Sequence, residues 1–268
     1  MTEAKQREVL VLSTDEIAAA LFLCGYGAVA TEMFNTQQRF KNEEERDHFS
    51  YNAEMSLKKR GYWDDDRDKH LVEGFESFVH LLMKAQKRVR CVRGNAMFML
   101  HNIDGQGVII QTGQGRGHVF ELVQDVDQCS EALRSFYEMK EVDEVLQTKD
   151  FTVTVDFFER LRGITIEQLN MMIEQGVHDD QIRQFLKDFR TNELVFDNIA
   201  FMRTDYAVKS KSDLLEVQFL LESDVFVWYI DYQNIGEKKE VHVYPVEKNE
   251  YLGRVTSDIN EWFAGTSD

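Results

Sequence analysis

A chain of 268 residues with 43% hydrophobic and 12% aromatic residues can bury a sizeable core, as one large domain or two of ordinary size. Its 31 basic residues against 48 acidic ones leave a net charge of −17, which repels nucleic-acid phosphates and anionic membrane surfaces and makes a neutral or basic protein the expected partner. No apolar run approaches the ~20 residues of a membrane helix, and "MTEAKQREVLVLSTDE" lacks the basic-then-apolar order of an export signal.

The stretch "LSTDEIAAALFLCGY" carries capping residues at Ser13 and Thr14 and acidic residues in its first turn. Its apolar residues Ile17, Ala20, Leu21 and Cys24 follow helical spacing. Glu43 to Lys59 reads as a second helix, ended by Gly61 before Tyr62-Trp63. A third is expected from Lys69 to Lys87, with Leu71, Phe75, Phe78, Val79, Leu82 and Met83 on one side. The acidic run "DDDRDKH", Asp64 to His70, reads as an acidic helix N-terminus. An EF-hand loop starting at Asp64 fails, because its sixth and twelfth positions are Lys69 and Phe75. Alternation follows in "VRCV", "AMFMLHNI", "GVIIQ" and "HVFELVQ", and helical spacing returns in "DVDQCSEALRSFYEM".

Three glycines, Gly113, Gly115 and Gly117, fall within "TGQGRG". A phosphate loop needs a helix N-terminus behind its glycines. Here His118 to Val123 alternates like a strand, and no Gly-Lys-Ser/Thr is present, so the glycines are expected to close a β-hairpin.

In the second half, "TVDFFERL", "TIEQLNMMIEQG" and "DDQIRQFLKDFR" read as helices. "ELVFDNIAFMR", "LLEVQFLLES", "VFVWYIDYQ" and "EVHVYPVE" have strand character, and "YLGRVTSDINEWF" suits a closing amphipathic helix. The halves look like divergent copies. His118 to Tyr137 has the layout of Val241 to Phe263, a strand, an acidic joint and a helix, and "FVHLLMKAQKRVRCV" resembles "IRQFLKDFRTNELVF". An extra stretch at about Asp197 to Asp213 is the main departure. The expected fold is α+β within a single domain: a central antiparallel sheet in a quasi-two-fold, internally repeated arrangement, flanked by helical bundles. The pseudo-repeats are residues 1–140 and 150–268.

Chemistry-bearing motifs are missing. The histidines never pair as HxH or HExxH, no GxSxG elbow occurs, and Cys24, Cys91 and Cys129 form no CxxC pair and fit reduced thiols in a cytoplasm. No catalytic residue, metal or cofactor is expected. What remains is apolar surface. Met97-Phe98-Met99, Met171-Met172 and Phe157-Phe158 read either as core or as a docking face that adapts to a partner. Such a binding protein is a chaperone or, alternatively, an immunity-type protein that neutralises a cognate secreted toxin.

The layout resembles the EspG-type specific chaperones of type VII (ESX) secretion. "LSTDEIAAALFLCGY" looks like that family's N-terminal helix, and "AEMSLKKRGYWDDD" is similar to its helix ending in Leu-x-x-Arg-Gly. "FESFVHLLMKAQKRVRCVRGNAMFMLHN" matches its third helix entering the first strands. "EQGVHDDQIRQFLKDF" resembles its Gly-Val helix start, and "WYIDYQNIGEKKEVHVYPVE" its final hairpin, whose last strand ends at proline, here Pro245. The resemblance implies a cytoplasmic, ATP-independent chaperone that caps the hydrophobic tip of a helical-hairpin secretion substrate. The implied partner is a WXG-type, PE/PPE-like or toxin-targeting protein, with no nucleic acid and no membrane insertion. By the same analogy the contact surface uses Ile103, Asp104 and Gln106 in the loop between the second and third strands. It is completed by Phe157, Phe158, Leu161, Ile164, Met171 and Met172.

Overall fold

The computed structural model of the chain describes residues 9–35, 43–104, 106–115, 117–124, 127–139, 148–176, 179–206, 211–232, 235 and 239–265. Strand β1 (Val9–Ser13) leads into helices α1 (Thr14–Leu23), α2 (Gly27–Asn35), α3 (Glu43–Lys59) and α4 (Glu73–Lys84). Strands β2 (Lys87–Arg93), β3 (Ala96–Ile103), β4 (Gly107–Gln114) and β5 (Gly117–Val123) follow, then α5 (Asp127–Phe136). A similar order, with three α-helices in place of four, follows as β6 (Phe151–Thr154), α6 (Val155–Leu161), α7 (Ile166–Met171) with a π-helical turn at Met172–Gly176, and α8 (Asp180–Thr191). It closes with β7 (Asp197–Asp205), β8 (Lys211–Glu222), β9 (Phe226–Asp231), β10 (Glu240–Glu247) and α9 (Lys248–Ala264).

The strands form one ten-stranded antiparallel sheet in the order β1-β5-β4-β3-β2-β7-β8-β9-β10-β6. This is the expected α+β class. The strand order reads alike outward from the central β2 and β7, with the first strand of each half lying outside its last. Pro245, whose ring removes an amide donor, sits where β10 has β9 alone beside it, because β6 pairs only with Glu240 to Val243.

Several elements depart from the expectations. The stretch Asp197 to Asp213 is no insertion: it holds β7 and the start of β8. The chain before it, Glu193 and Leu194, takes left-handed φ values of 57° and 64°, so the expected strand cannot run through these two residues. "DDDRDKH" is a closed loop rather than a helix N-terminus. His70 stands at φ 57°, the Asp64 amide donates to the His70 carbonyl at 3.0 Å, and Trp63 stacks on the His70 ring. The helix therefore starts only at Glu73. It stops at Lys84, because Ala85 turns extended and the buried Arg88 guanidinium donates back to the Leu82 and Ala85 carbonyls at 2.6 and 3.1 Å. The "TGQGRG" hairpin forms as expected, with Gln114 paired to Gly117 and Gly115 at φ 63°. A fourth glycine is as demanding: Gly107 has φ 114°, and a Cβ there would run into the Val123 carbonyl oxygen.

Packing divides the chain into two compact units. The first comprises Met1–Val89, Met97–Asp125 and Met202–Leu215, the second Arg90–Ala96, Val126–Phe201 and Glu216–Asp268, so each holds most of one half of the sequence and one short segment of the other. In the first unit Leu12, Phe120, Ile109 and Ile103 of the strands meet Ile17, Ala20 and Leu21 of α1, Leu57 of α3, and Phe75, Val79, Leu82 and Met83 of α4. A buried carboxylate fixes the entry to α1. Glu16 accepts from the Ser13 amide (2.8 Å), Ser56 Oγ (2.7 Å) and Arg60 Nη1 (3.1 Å), while Ser13 Oγ caps the Glu16 amide. Burial raises its pKa, but these hydrogen bonds and the Arg60 charge outweigh burial and hold the carboxyl below its ordinary value.

In the second unit α6, α7 and α8 cover one face of β9, β10 and β6 through Phe157, Phe158, Leu161, Leu169, Phe185, Leu186 and Phe189. Alternation along β9 puts Phe226, Trp228 and Ile230 on that face. Tyr229 turns the other way, toward Tyr251 and Arg254 of α9. The Trp228 indole donates to the buried Asp188 carboxylate of α8 at 2.8 Å. Asp197, buried at the start of β7, accepts from the Gly94 amide at 3.1 Å; burial pushes its carboxyl up to about 6.

Two predictions follow from these carboxylates. Glu16→Ala should cost about 2–4 kcal/mol in urea unfolding at pH 7, because it strands a partly buried arginine and a helix cap. Glu16 is depressed, so its contribution is present above pH 4.5 and lost as pH falls through its lower folded value. Asp197 is raised from 3.8 to about 6, so its contribution is full below pH 3.8 and lost as pH rises through 6. Asp197→Asn should therefore be more stable than the parent at pH 7, on the order of 1–3 kcal/mol, with the difference gone by about pH 4.

Candidate functional site

An apolar groove of about 710 Å³ opens within the first unit. Val9 and Leu10 of β1, Phe120 to Leu122 of β5 and Ile109 of β4 form its sheet side. Tyr62, Val72, Gly74, Phe75, Ser77, Phe78 and Leu81 form its helix side, and Ile103 and Gln106 close one end. The aromatic walls are ordered by ring contacts: Tyr62 stacks on Phe75 with centroids 4.6 Å apart, and Phe78 meets Phe120 edge-on at 5.1 Å. The wall carrying Phe75 and Phe78 is pinned from outside. Glu76 receives Arg67 at 2.8 Å and Lys69 at 3.3 Å, with His80 Nε2 3.5 Å away. Leu122 at the groove is 51% exposed, and Glu121 is the one carboxylate among the lining residues. This surface offers apolar contact rather than bond-making chemistry.

The structure gives the expected contact residues three different settings. Gln106 and Ile103 line the groove, with the Gln106 amide closing a turn onto the Ile103 carbonyl at 2.7 Å, and Asp104 is exposed beside them. Ile103 itself is buried. So are Phe157, Phe158 and Leu161, which belong to the aromatic core of the second unit, where Phe158 touches the rings of Phe185, Phe196 and Tyr232. Ile164 and Met172 are half-buried against that core, whereas Met171 stands 54% exposed, as does Ile166 five residues earlier. Of the other apolar runs, Phe98 is core, with Met97 and Met99 half-buried.

Neither a family model nor a curated protein sequence matches the chain. Among solved structures, the chain is similar to the Mycobacterium tuberculosis type VII secretion system chaperone EspG5, solved in complex with a PE25–PPE41 dimer. The match covers 95% of this chain and 96% of that one, with a TM-score of 0.55 and 9% sequence identity. The fold is the EspG5 fold. At such low identity the likeness lies in the order and packing of elements, not in shared side chains.

Within this EspG5-like fold, several buried polar groups are hydrogen-bonded to one another. Thr14, His118, Gln111 and His101 form a chain with spacings of 3.0, 3.0 and 2.9 Å. With the Gln111 amide donating to His118 Nδ1 and its carbonyl accepting from His101 Nε2, the His118 ring must be neutral, while His101 can donate in either protonation state. Burial lowers the pKa of both, with the Arg88 charge adding to the effect at His101. Burial also pushes the Cys24 thiol up to about 11 and Cys91 to about 12, the opposite of a nucleophile's environment. Among the described residues no three His, Cys, Asp or Glu side chains are grouped to hold a metal ion, and no helix is long and apolar enough to cross a membrane.

The two kinds of groove residue should separate by mutation. Phe75→Ala removes a core ring and should cost about 3–5 kcal/mol in urea unfolding. Leu122→Ser alters an open lip and should stay within about 0.5 kcal/mol of the parent.

Proposed function

We propose that the protein is a cytoplasmic secretion chaperone that binds the hydrophobic tip of a helical-hairpin export substrate and keeps it soluble until export. The observation that carries this reading is the shared fold along nearly the whole chain with a chaperone solved holding a PE25–PPE41 dimer. An open apolar groove, Ile103 and Gln106 at its end, and a −17 charge that keeps a complex soluble support it. Reversible burial of an apolar tip needs contact area, about 800 Å² per partner, and no reactive group. In this reading Asp104, Gln106, Ile164, Met171 and Met172 make contact, while Ile103, Phe157, Phe158 and Leu161 hold the contacting segments from beneath.

Co-expression with small helical-hairpin proteins encoded beside its gene tests the proposal. One of them should co-purify and gain solubility. Met171→Asp or Asp104→Arg should weaken that complex at least tenfold, about 1.4 kcal/mol, with the thermal midpoint unchanged. If no hairpin protein is captured or solubilised, the reading fails. Capture of a toxin whose activity is then blocked would assign the inhibitor role instead.

A further inference from the structure

We propose that the outer edge of β1, together with the groove beside it, accepts an extended protein segment as an added β-strand. The segment has apolar residues at alternate positions and lysine or arginine at its ends. Among the described residues β1 ends the sheet, so its outward amide and carbonyl groups face no strand. Natural edge strands are usually blunted by charge, proline or a bulge. The five residues Val9-Leu10-Val11-Leu12-Ser13 contain neither charge nor proline and pair with β5 in unbroken register, Val9 to Glu121 through Ser13 to Gly117.

Both faces of this edge offer apolar contact. On one, Val9 and Val11 are 53% and 48% exposed, with the exposed Val119 directly opposite Val11. On the other, Leu10 leads into the groove toward Phe78 and Leu122. An added strand sends alternate side chains to these two faces, while its backbone pairs with β1. Charge selects among such segments. Glu121 stands opposite Val9, on the face that carries Val9 and Val11, and the exposed Glu73 and Asp104 adjoin the groove residues Val72, Gly74 and Ile103. In a molecule of net charge −17 this rim favours cationic ends and disfavours anionic ones.

The groove, Gln106 and Asp104 enter both proposals, but the segment here is extended rather than a helical tip, and Val11 on the strand edge has no part in the chaperone contact. Loss of peptide binding with hairpin-protein capture intact, or the reverse, therefore tells the failure of one proposal from the failure of the other. The test uses the full chain and three fluorescent peptides: Lys-Val-Thr-Val-Thr-Val-Thr-Lys, the same peptide with glutamate at both ends, and the same peptide with proline for each threonine. The lysine-ended peptide should give saturating anisotropy and slow amide hydrogen exchange in Val9 to Ser13, and the other two should bind at least tenfold more weakly. Gly74→Trp fills the groove from a position where a Cβ meets open space, so the fold should be retained while peptide affinity drops at least tenfold. Equal binding of all three peptides, no saturation, or binding unchanged by Gly74→Trp overturns the proposal. So does a concentration-dependent dimer that Val11→Lys dissolves, which would give the edge to a second copy.

Discussion

The position of β1, and with it one side of the groove, depends on the buried carboxylate of Glu16. Among the described residues this five-residue edge strand has a single neighbour, β5, and little of its own to fix its register. A slip of one residue would send Val9 and Val11 inward and turn Leu10 and Leu12 to water. Glu16 resists this by tying the strand's last residue, Ser13, to the first turn of α1 and, through Ser56 and Arg60, to α3. One charge thus sets the strand end, the helix start and the docking of a second helix. Its burial is tolerated because every one of these donors points at it.

Elements with a strong period or an explicit stop were legible in the sequence. α3 runs from Glu43 to Lys59, as the run closed by Gly61 indicates, and the hairpin of β4 and β5 follows from its glycines. The repeated order of elements was also visible, since strand–joint–helix patterns survive divergence better than identities. The edge strands β1 and β6 were not, because five and four residues running straight into a helix cap carry no alternation long enough to read. α2, with Gly27 at its start and no acidic residue in its first turn, gives a weak signal. The "DDDRDKH" loop was misread for a physical reason: a left-handed His70 stacked on Trp63 is a tertiary arrangement, and composition alone favours a helix start.

The site was legible only in part, because sequence gives chemical type and spacing but not which side faces water. Ile103 and Gln106 fell in a short turn between strands, where position alone limits the options. Phe157 and Phe158 are adjacent in a seven-residue helix, so no stripe separates an inner from an outer face. Both are buried because α8 and the Tyr232 end of β9 close around them. On α7 the capping box at Thr165 sets the helix start, and with it the rotation that turns Leu169 inward and leaves Ile166 and Met171 outside. Gly107, Gly74 and Ser77 carried no signal as site residues, because their contribution is the space they leave.

An apolar groove in water ought to close, since each square ångström buried gains about 25 cal/mol. Two features keep this one open. The wall residues Gly74 and Ser77 are too small to reach across, and nothing lies within 4 Å of a Cβ at Gly74. The α4 wall also cannot slide inward, because Glu76 on its outer side is held by Arg67 and Lys69, and the loop supplying those cations is closed on itself by Asp64, His70 and Trp63. The acidic loop and the charged face of α4 therefore act on the groove without lining it. Apolar surface held apart by a rigid frame retains its gain for whatever enters, and binding then costs the protein little conformational entropy.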